Sequence, residues 1–415
     1  MKRWIAELSR VVVGVTFLFS GFVKAVDPTG FVYKIEDYLL ALHLDFLFVL
    51  AQPTAVVMVV AELLIGLFLL LGIWRRGASI MAALFMVFFL PLTLWIALKN
   101  PVEDCGCFGD AWVISNWQTF YKNIVLTAGA FYLLFNYKYV GAWLKGSKEH
   151  GVAMYMVLLG FSFALWNMIR LPLLDFRPYK IGANIAEKAT VDPSKGDVTE
   201  NIFIYSKDGV EQEFEESDYP WDDPAWEFVD VKTRVIMEGE QPEIEDFHLV
   251  AYDYDAEFGF YADEDITDAV LSDPGYSFMM VSCFLEQIKS KDLHRFAQVA
   301  QEVEAAGMNF YLLTASAEDL FQSWNDELGY QFNFVQADEL LLKTIIRTNP
   351  GVVLLKDGVV VNKWDDKSFP ATIDTAQMQL YDAVDKQPSR GAKGLTVFAL
   401  LLVAPLLAVS FKKNK

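Results

Sequence analysis

The chain has 415 residues, 54% of them hydrophobic and 21% charged, and carries a formal net charge of −20. Its 15% aromatic content excludes a disordered chain, and its acidic balance excludes a general nucleic-acid binder, whose surface must be basic. So much apolar content and so much acid do not fit one evenly mixed soluble domain, so they belong to different parts of the sequence.

Residues 176–392 hold 17 Lys and Arg against 43 Asp and Glu, a net of −26, and the remainder holds 17 against 11, a net of +6. A bilayer core needs about 20 mostly apolar residues in a helix. Six segments qualify in chain order: 11–26, 46–72, 78–98, 117–140, 152–171 and 395–411. The first is no cleaved signal, because Lys24 and Asp27 stand where a small-residue cleavage motif would be. Cationic clusters lie before the first span (Lys2, Arg3, Arg10) and between the second and third (Arg75, Arg76). Others lie between the fourth and fifth (Lys138, Lys145, Lys148) and after the sixth (Lys412, Lys413, Lys415). With six spans all four clusters fall on one side, so both termini are expected in the cytoplasm of a bacterial inner membrane. The 27–45 loop, the 99–116 loop and the acidic part are then expected in the periplasm, where a strong net charge keeps a domain soluble and off anionic lipid. The expected organisation is a four-span part (1–145), a fifth helix (146–175), a β-rich segment (176–240), an α/β domain (241–390) and a last span with a basic tail (391–415).

The same topology places all three cysteines, Cys105, Cys107 and Cys283, in a disulfide-permissive compartment. Cys105 and Cys107 stand in Glu-Asp-Cys-Gly-Cys-Phe-Gly-Asp, where Gly106 permits a sharp turn between two thiols. A bridge there closes a very small ring. Stabilising bridges gain most from long loops, and labile ones tend to be catalytic or regulatory. A redox pair, two packed thiols and a metal site are the three readings. The metal is disfavoured because none of the four His (43, 150, 248, 294) is near in sequence. Asp104 and Asp110 beside the pair are expected to raise the thiol pKa values by like charge. Ser115-Asn116-Trp117-Gln118 reads as a capping box opening the fourth span, and Trp112 and Trp117 as interface anchors. The thiols are therefore expected just above the membrane surface, within reach of a lipid-soluble quinone or a periplasmic thiol/disulfide protein.

Glu62, near the middle of the second span, is costly at that depth and marks either a functional site or a paired group that pins packing. Arg10, Lys24 and Lys122 are its candidate partners, and helical rise alone does not choose among them. Gly14, Gly21 and Gly66 suit close helix approach.

The stretch 10–30 with Phe-Leu-Phe-Ser-Gly-Phe-Val-Lys-Ala-Val-Asp-Pro, the Glu62 segment, and the Cys-Gly-Cys-Phe-Gly-Asp loop leading to Tyr121-Lys122-Asn123 together resemble the DoxX/MauE family. These are four-span, redox-associated membrane proteins. The resemblance covers about residues 5–140 and implies thiol redox work beside a thioredoxin-like partner.

In the acidic part, 201–205, Lys207-Asp208-Gly209 and 210–214 carry a hairpin signature, followed by a Pro-broken aromatic loop at 218–226. Further on, strands are expected at 277–282, 309–314, 332–335, 352–356 and 359–364. Helices are expected at 290–306, 316–328, 339–347 and 371–384. This order resembles the thioredoxin-like fold in its redoxin form, with 245–249 as the opening strand and Pro350 in the cis-proline loop. The resemblance fails at the usual Cys-x-x-Cys, where Gln287 and Ser290 stand instead. Cys283 lies four residues early and reads as a buried small residue or as a partner for Cys105 or Cys107. The expected fold is thus an α-helical membrane bundle, a four-helix core plus two further spans, with an α/β soluble domain. The leading functional reading is a thiol-disulfide protein using Cys105 and Cys107. The competitors are a non-enzymatic scaffold or receptor, and small-molecule handling around Glu62.

Overall fold

The computed structural model describes residues 1–411 except 103, 145, 193, 238, 256–258 and 374–389, and only the backbone at 263, 290, 390 and 405–411. Lys145, Lys412, Lys413 and Lys415 lie outside the described residues, as does most of the helix expected at 371–384.

The first part is a helical bundle. Helix α1 (Lys2–Val26) begins well before the apolar run, because the helix extends past the stretch that can sit in lipid. Asp27 then caps α2 (Pro28–Ala41): its carboxylate accepts from Gly30 N at 3.0 Å, and Pro28 fills the first turn. This corrects the expected 27–45 loop. The segment lacks the length to span, yet it has the start signals of a helix and an apolar face (Phe31, Val32) buried on the bundle. Helices α3 (Ala51–Leu71), α4 (Arg75–Lys99), α5 (Asn116–Asn136) and α6 (Ser147–Ile169) follow. The helices Lys2–Val26, Asp45–Leu71, Arg75–Lys99 and Ser147–Ile169 are long and apolar enough to cross a bilayer, which makes this a multi-pass membrane protein. α5 is comparably long but more polar, with Lys122 and Asn123 in its first turns. The apolar stretch Gly391–Ala404 of the C-terminal helix is shorter.

α1 lies against α3 at very close range. A Cβ on Gly21 would run into the backbone of Leu63, and one on Gly66 into the backbone of Leu18. Close backbone approach through small residues is how helices gain packing in lipid, where no hydrophobic effect draws them together. At one end of the bundle Tyr132 donates to Lys2 O at 3.1 Å, Glu7 accepts from Gly141 N at 3.0 Å, and Glu149 accepts from Trp74 N at 2.7 Å. The described cationic clusters therefore gather at this end.

The hairpin is present as β1 (Val198–Lys207) and β2 (Val210–Glu215), turning on Asp208 and Gly209, both at positive φ. The sequence did not reveal β3 (Glu227–Met237), which pairs with β1. Every residue of β3 is exposed, so no buried face imposes an alternating pattern. The expected opening strand at 245–249 is also displaced: the strand β4 runs over Val250–Asp255 and turns back as β5 (Gly259–Asp265). The short α7 (Ile185–Lys188) and α8 (Thr267–Leu271) lie outside the sheets.

The larger sheet has seven strands, completed by β6 (Tyr276–Ser282), β7 (Asn309–Thr314), β8 (Asn333–Gln336), β9 (Gly351–Lys356) and β10 (Val359–Asp365), in the order β10-β9-β6-β7-β8-β4-β5. β6 and β7 are parallel and joined by α9 (Ser290–Ala305), whereas β9–β10 is an antiparallel hairpin beside β6. α10 (Asp319–Leu328) and α11 (Glu339–Ile345) complete the layers. Phe278, Phe296, Phe310 and Phe334 fill one face, and Met279, Val281, Leu342 and Ile345 the other. A sheet buried on both faces reads as continuous apolar runs, which is why these strands were legible. The C-terminal helix α12 (Arg390–Phe411) returns to the bundle beside α6, where Phe398 stacks on Phe163.

Candidate functional site

The loop between α4 and α5 is held at every corner. Ser115 accepts from Gln118 N at 3.3 Å while Gln118 accepts from Ser115 N at 3.1 Å, the expected capping box. Asn116 ties the loop base, donating to Asn100 Oδ1 at 2.7 Å and to Val102 O at 3.1 Å. Trp112 and Trp117 are exposed, as interface anchors are.

Within the loop, the sulfurs of Cys105 and Cys107 are 2.9 Å apart and both thiols are free. Gly106 between them has φ +63, the left-handed region that costs glycine nothing. The two flanking carbonyls are gripped from different helices: Tyr38 of α2 donates to Cys105 O at 2.6 Å, and Ser20 of α1 donates to Cys107 O. Asp104 accepts from Gly106 N at 2.6 Å and pairs with Lys34 at 2.9 Å.

The sequence expected Asp104 and Asp110 to raise both thiols. The structure corrects this, because each carboxylate is engaged by a cation, Lys34 for Asp104 and Arg347, shared with Asp27, for Asp110. The thiols instead diverge. Cys105 is raised well above the usual thiol range, first by the hydrogen bond it shares with Cys107 and then by burial. Cys107 is lowered to about 6 by that hydrogen bond. Burial opposes the shift, and the ammonium groups of Lys122 and Lys24 favour the thiolate.

Beneath Cys107 lies a small polar centre. Lys24 donates to Glu62 Oε2 at 2.8 Å, and the Ser20 hydroxyl lies 2.7 Å from Glu62 Oε1 and 3.2 Å from Lys24 Nζ. Of the three cations named as partners for Glu62, the structure brings in Lys24. Arg10 pairs with Glu7 instead. Lys122 places its ammonium over the Phe108 ring at 4.3 Å. Ser20, Lys24, Glu62, Cys107, Lys122 and Asn123, with apolar side chains between them, line a partly open hollow of about 30 Å³, room for a water rather than for a larger ligand. A larger open hollow of about 300 Å³ beside Tyr254, Asn325 and Tyr330 in the α/β domain has no thiol in its lining.

The α/β domain is seated on this loop. Arg347, from the loop after α11, donates to Asp27 at 2.8 Å and to Asp110 at 2.9 Å, with its guanidinium over the Tyr33 ring at 5.4 Å. Burial disfavours the Asp27 carboxylate, but Arg347 and Arg177 more than offset this and hold its pKa below the usual value. Lys343 places its ammonium over the same Tyr33 ring at 4.7 Å. Sequence reasoning missed Arg347 as a site residue; its only signal was its place three residues before Pro350.

The Asn349–Pro350 peptide is cis, and Asn349 accepts from Ser282 at 2.7 Å and donates to Phe284 O at 3.1 Å, so this loop abuts the end of β6. Cys283, at that end, is buried among apolar side chains, and burial pushes its thiol up to about 11. This is the environment of a packed thiol. Asn349 also reaches Gln287 at 3.4 Å, and α9 begins at Ser290, the two positions where a Cys-x-x-Cys would stand. Among the described residues no three His, Cys, Asp or Glu side chains gather as metal ligands.

Residues 2–136 match the family model of the methylamine utilisation protein MauE, a region that holds Cys105, Cys107, Lys24, Glu62 and Lys122. Residues 199–238, the three-stranded sheet, match a domain of unknown function, DUF8463. No curated protein and no solved structure matches the chain.

Proposed function

We propose that this multi-pass membrane protein, similar to MauE in its first third, carries out thiol-disulfide exchange through Cys105 and Cys107 on the outer face of a bacterial inner membrane. The observation that carries the reading is the pair itself: two free sulfurs 2.9 Å apart, one held as a thiol and its neighbour biased to thiolate. A thiolate beside a thiol is the starting state for attack on a disulfide and for resolution of the resulting mixed disulfide. Cys107 attacks an acceptor disulfide, and Cys105 then displaces the acceptor. The reverse sequence oxidises a substrate dithiol.

The α/β domain is the docking module. Its β6–α9–β7 crossover followed by the β9–β10 hairpin, and the cis Pro350 beside Cys283, support a thioredoxin-like reading without a redox pair of its own. The co-reactant is a periplasmic thiol/disulfide protein. The water-sized cavity favours such a protein over a quinone head group in this conformation. The cationic clusters gathered at the opposite end of the bundle support cytoplasmic termini.

The test is differential alkylation of membranes before and after reductant. The pair should be alkylated only after reduction in a fraction of molecules that changes with the redox state of the medium. A Cys105→Ser/Cys107→Ser variant indistinguishable from wild type in every assay would sink the reading and leave a scaffold.

A further inference from the structure

The three-stranded sheet lies outside the cysteine site and ends in an open edge. β3 pairs with β1 on one side, and among the described residues no strand meets it on the other. It is 11 residues long, every one of them exposed, and Phe228, Val229, Val231, Val235 and Ile236 are among them. An edge so long and so apolar is a template for a further strand. The opposite edge, β2, carries Glu211, Glu213 and Glu215, charges that discourage pairing there.

Hydrogen bonds identify the residues that face the β3 edge. Val231 N–H is taken by the carboxylate of Asp230 at 2.8 Å, so it is turned away from β1. The Thr233 hydroxyl donates at 3.0 Å to Oδ1 of Asn201, the residue opposite it on β1. Such side-chain closeness belongs to a pair that exchanges no backbone bonds, so Thr233 also faces the edge. Residues 230–235 pair one for one with 204–199, and register shifts at Val229 and Ile236 bound this regular run.

Symmetry and charge then select one partner and one register. In a two-fold antiparallel pair, an edge-facing residue lies opposite another edge-facing residue, so the axis passes through a residue and not between two. An axis with a regular neighbour on each side leaves 231–234. At Lys232 two lysines oppose each other, offsetting the Asp230–Arg234 pairs beside them. At Thr233, Lys232 opposes Arg234 twice, and at Arg234 two arginines meet. At Val231, Asp230 opposes Lys232 twice and no like charges meet. Opposite charges across a strand pair stabilise it and like charges destabilise it. In that register the two Val231 residues exchange both backbone bonds, and Asp230 and Lys232 occupy the closely spaced positions on either side. Lys232 otherwise reaches Glu213 at 3.3 Å, an exposed pair weak enough to yield.

We propose that β3 is a dimer interface. Two copies of the chain join their three-stranded sheets edge to edge, with Val231 on the two-fold axis and Asp230 of each copy paired with Lys232 of the other. The segment 199–238, matched to a domain of unknown function, thereby acquires a role in this chain that is independent of the exchange reading.

Single cysteines placed in turn at 228–235 of the full-length protein test this in membranes, by mild oxidation and non-reducing electrophoresis against the wild type. Val231→Cys should give a covalent dimer well above the wild-type background, because the Cα atoms of a hydrogen-bonded pair are about 5.5 Å apart, within disulfide reach. Val229→Cys and Thr233→Cys should not, since their like positions are offset by about 13 Å along the strands. A yield that peaks elsewhere, or is equal at all positions as random collision would make it, overturns the proposal. Adding Asp230→Lys to Val231→Cys should cut the dimer yield severalfold, and adding Lys232→Asp as well should restore it. An unchanged yield, or a loss that Lys232→Asp does not repair, overturns the register.

Discussion

Arg347 donates from Nη2 to Oδ2 of Asp110 at 2.9 Å, joining the α/β domain to the cysteine loop across 237 positions of sequence. The same guanidinium holds Asp27, the cap of α2, so one buried side chain fixes both the loop and the helix that grips it. Arg347→Ala should expose the Cys105 loop and raise its alkylation rate severalfold, with the bundle intact. Arg347→Lys should recover only part of this, because an ammonium cannot reproduce the two-carboxylate fork. An unchanged alkylation rate in Arg347→Ala would show that the domain does not restrict the loop.

Asp175 is a second anchor. It accepts from Lys363 at 2.9 Å and from Arg177 Nε at 2.8 Å, and both cations are buried. Burial pushes Asp175 up, but the two cations outweigh it and hold the pKa at about 2. A carboxylate depressed in this way contributes stability that is present above about pH 4 and is lost as pH falls toward 2. Asp175→Asn strands two buried cations and should cost about 3–5 kcal/mol, read by thermal melting of the α/β domain.

Cys107 titrates low, so its alkylation rate should be half-maximal near pH 6 and fall away in acid. The sign of the linked stability is that of a depressed acid. The Cys107 thiolate contributes stability that grows as pH rises from about 6 to about 8.5, the ordinary thiol value, and above that the raised Cys105 thiol, which ionises only on unfolding, takes stability away. A midpoint near the ordinary thiol value would contradict the assignment of Cys107 as the nucleophile.

The Lys24–Glu62 pair separates into a packing role and a chemical one by substitution. Glu62→Gln leaves Lys24 buried without its counter-charge and should destabilise the bundle by about 3–5 kcal/mol, whereas Lys24→Met/Glu62→Met should be close to neutral. If the double variant folds and its cysteines still cycle, the pair serves packing alone.

Gly66→Ala forces a methyl into the Leu18 backbone and should cost about 1–3 kcal/mol, with loss of the α1–α3 approach that brings Lys24 to Glu62. Detergent-solubilised melting temperatures would show it, and an unaffected Gly66→Ala would place the helices farther apart.

The spans, the β6–β10 strands and the capping box at Ser115 were legible because each is a local pattern: an apolar run, a doubly buried strand, a fixed spacing. What escaped was set by rotation and long-range contact. Lys24, Arg10 and Lys122 were equal candidates for Glu62 because sequence gives helical rise but not which faces of α1 and α3 meet. The like-charge argument for Asp104 and Asp110 failed because Lys34 and Arg347 come from distant segments and engage both carboxylates. β3 escaped because a strand with no buried face has no period to read.

The α/β domain departs from the bundle after α6 and returns into α12, and those helices are neighbours. Phe163 and Phe398 stack with centroids 3.8 Å apart, and Tyr155 donates to Leu401 O at 3.0 Å. A domain tied at both ends to one place cannot diffuse away when Arg347 lets go. Its reseating is a first-order event, indifferent to how much protein the membrane holds, at an effective concentration on the order of millimolar. Any soluble protein that reached the Cys105 loop would therefore have to displace a tethered domain, and its apparent affinity would be set as much by the length of the two tethers as by its own contacts.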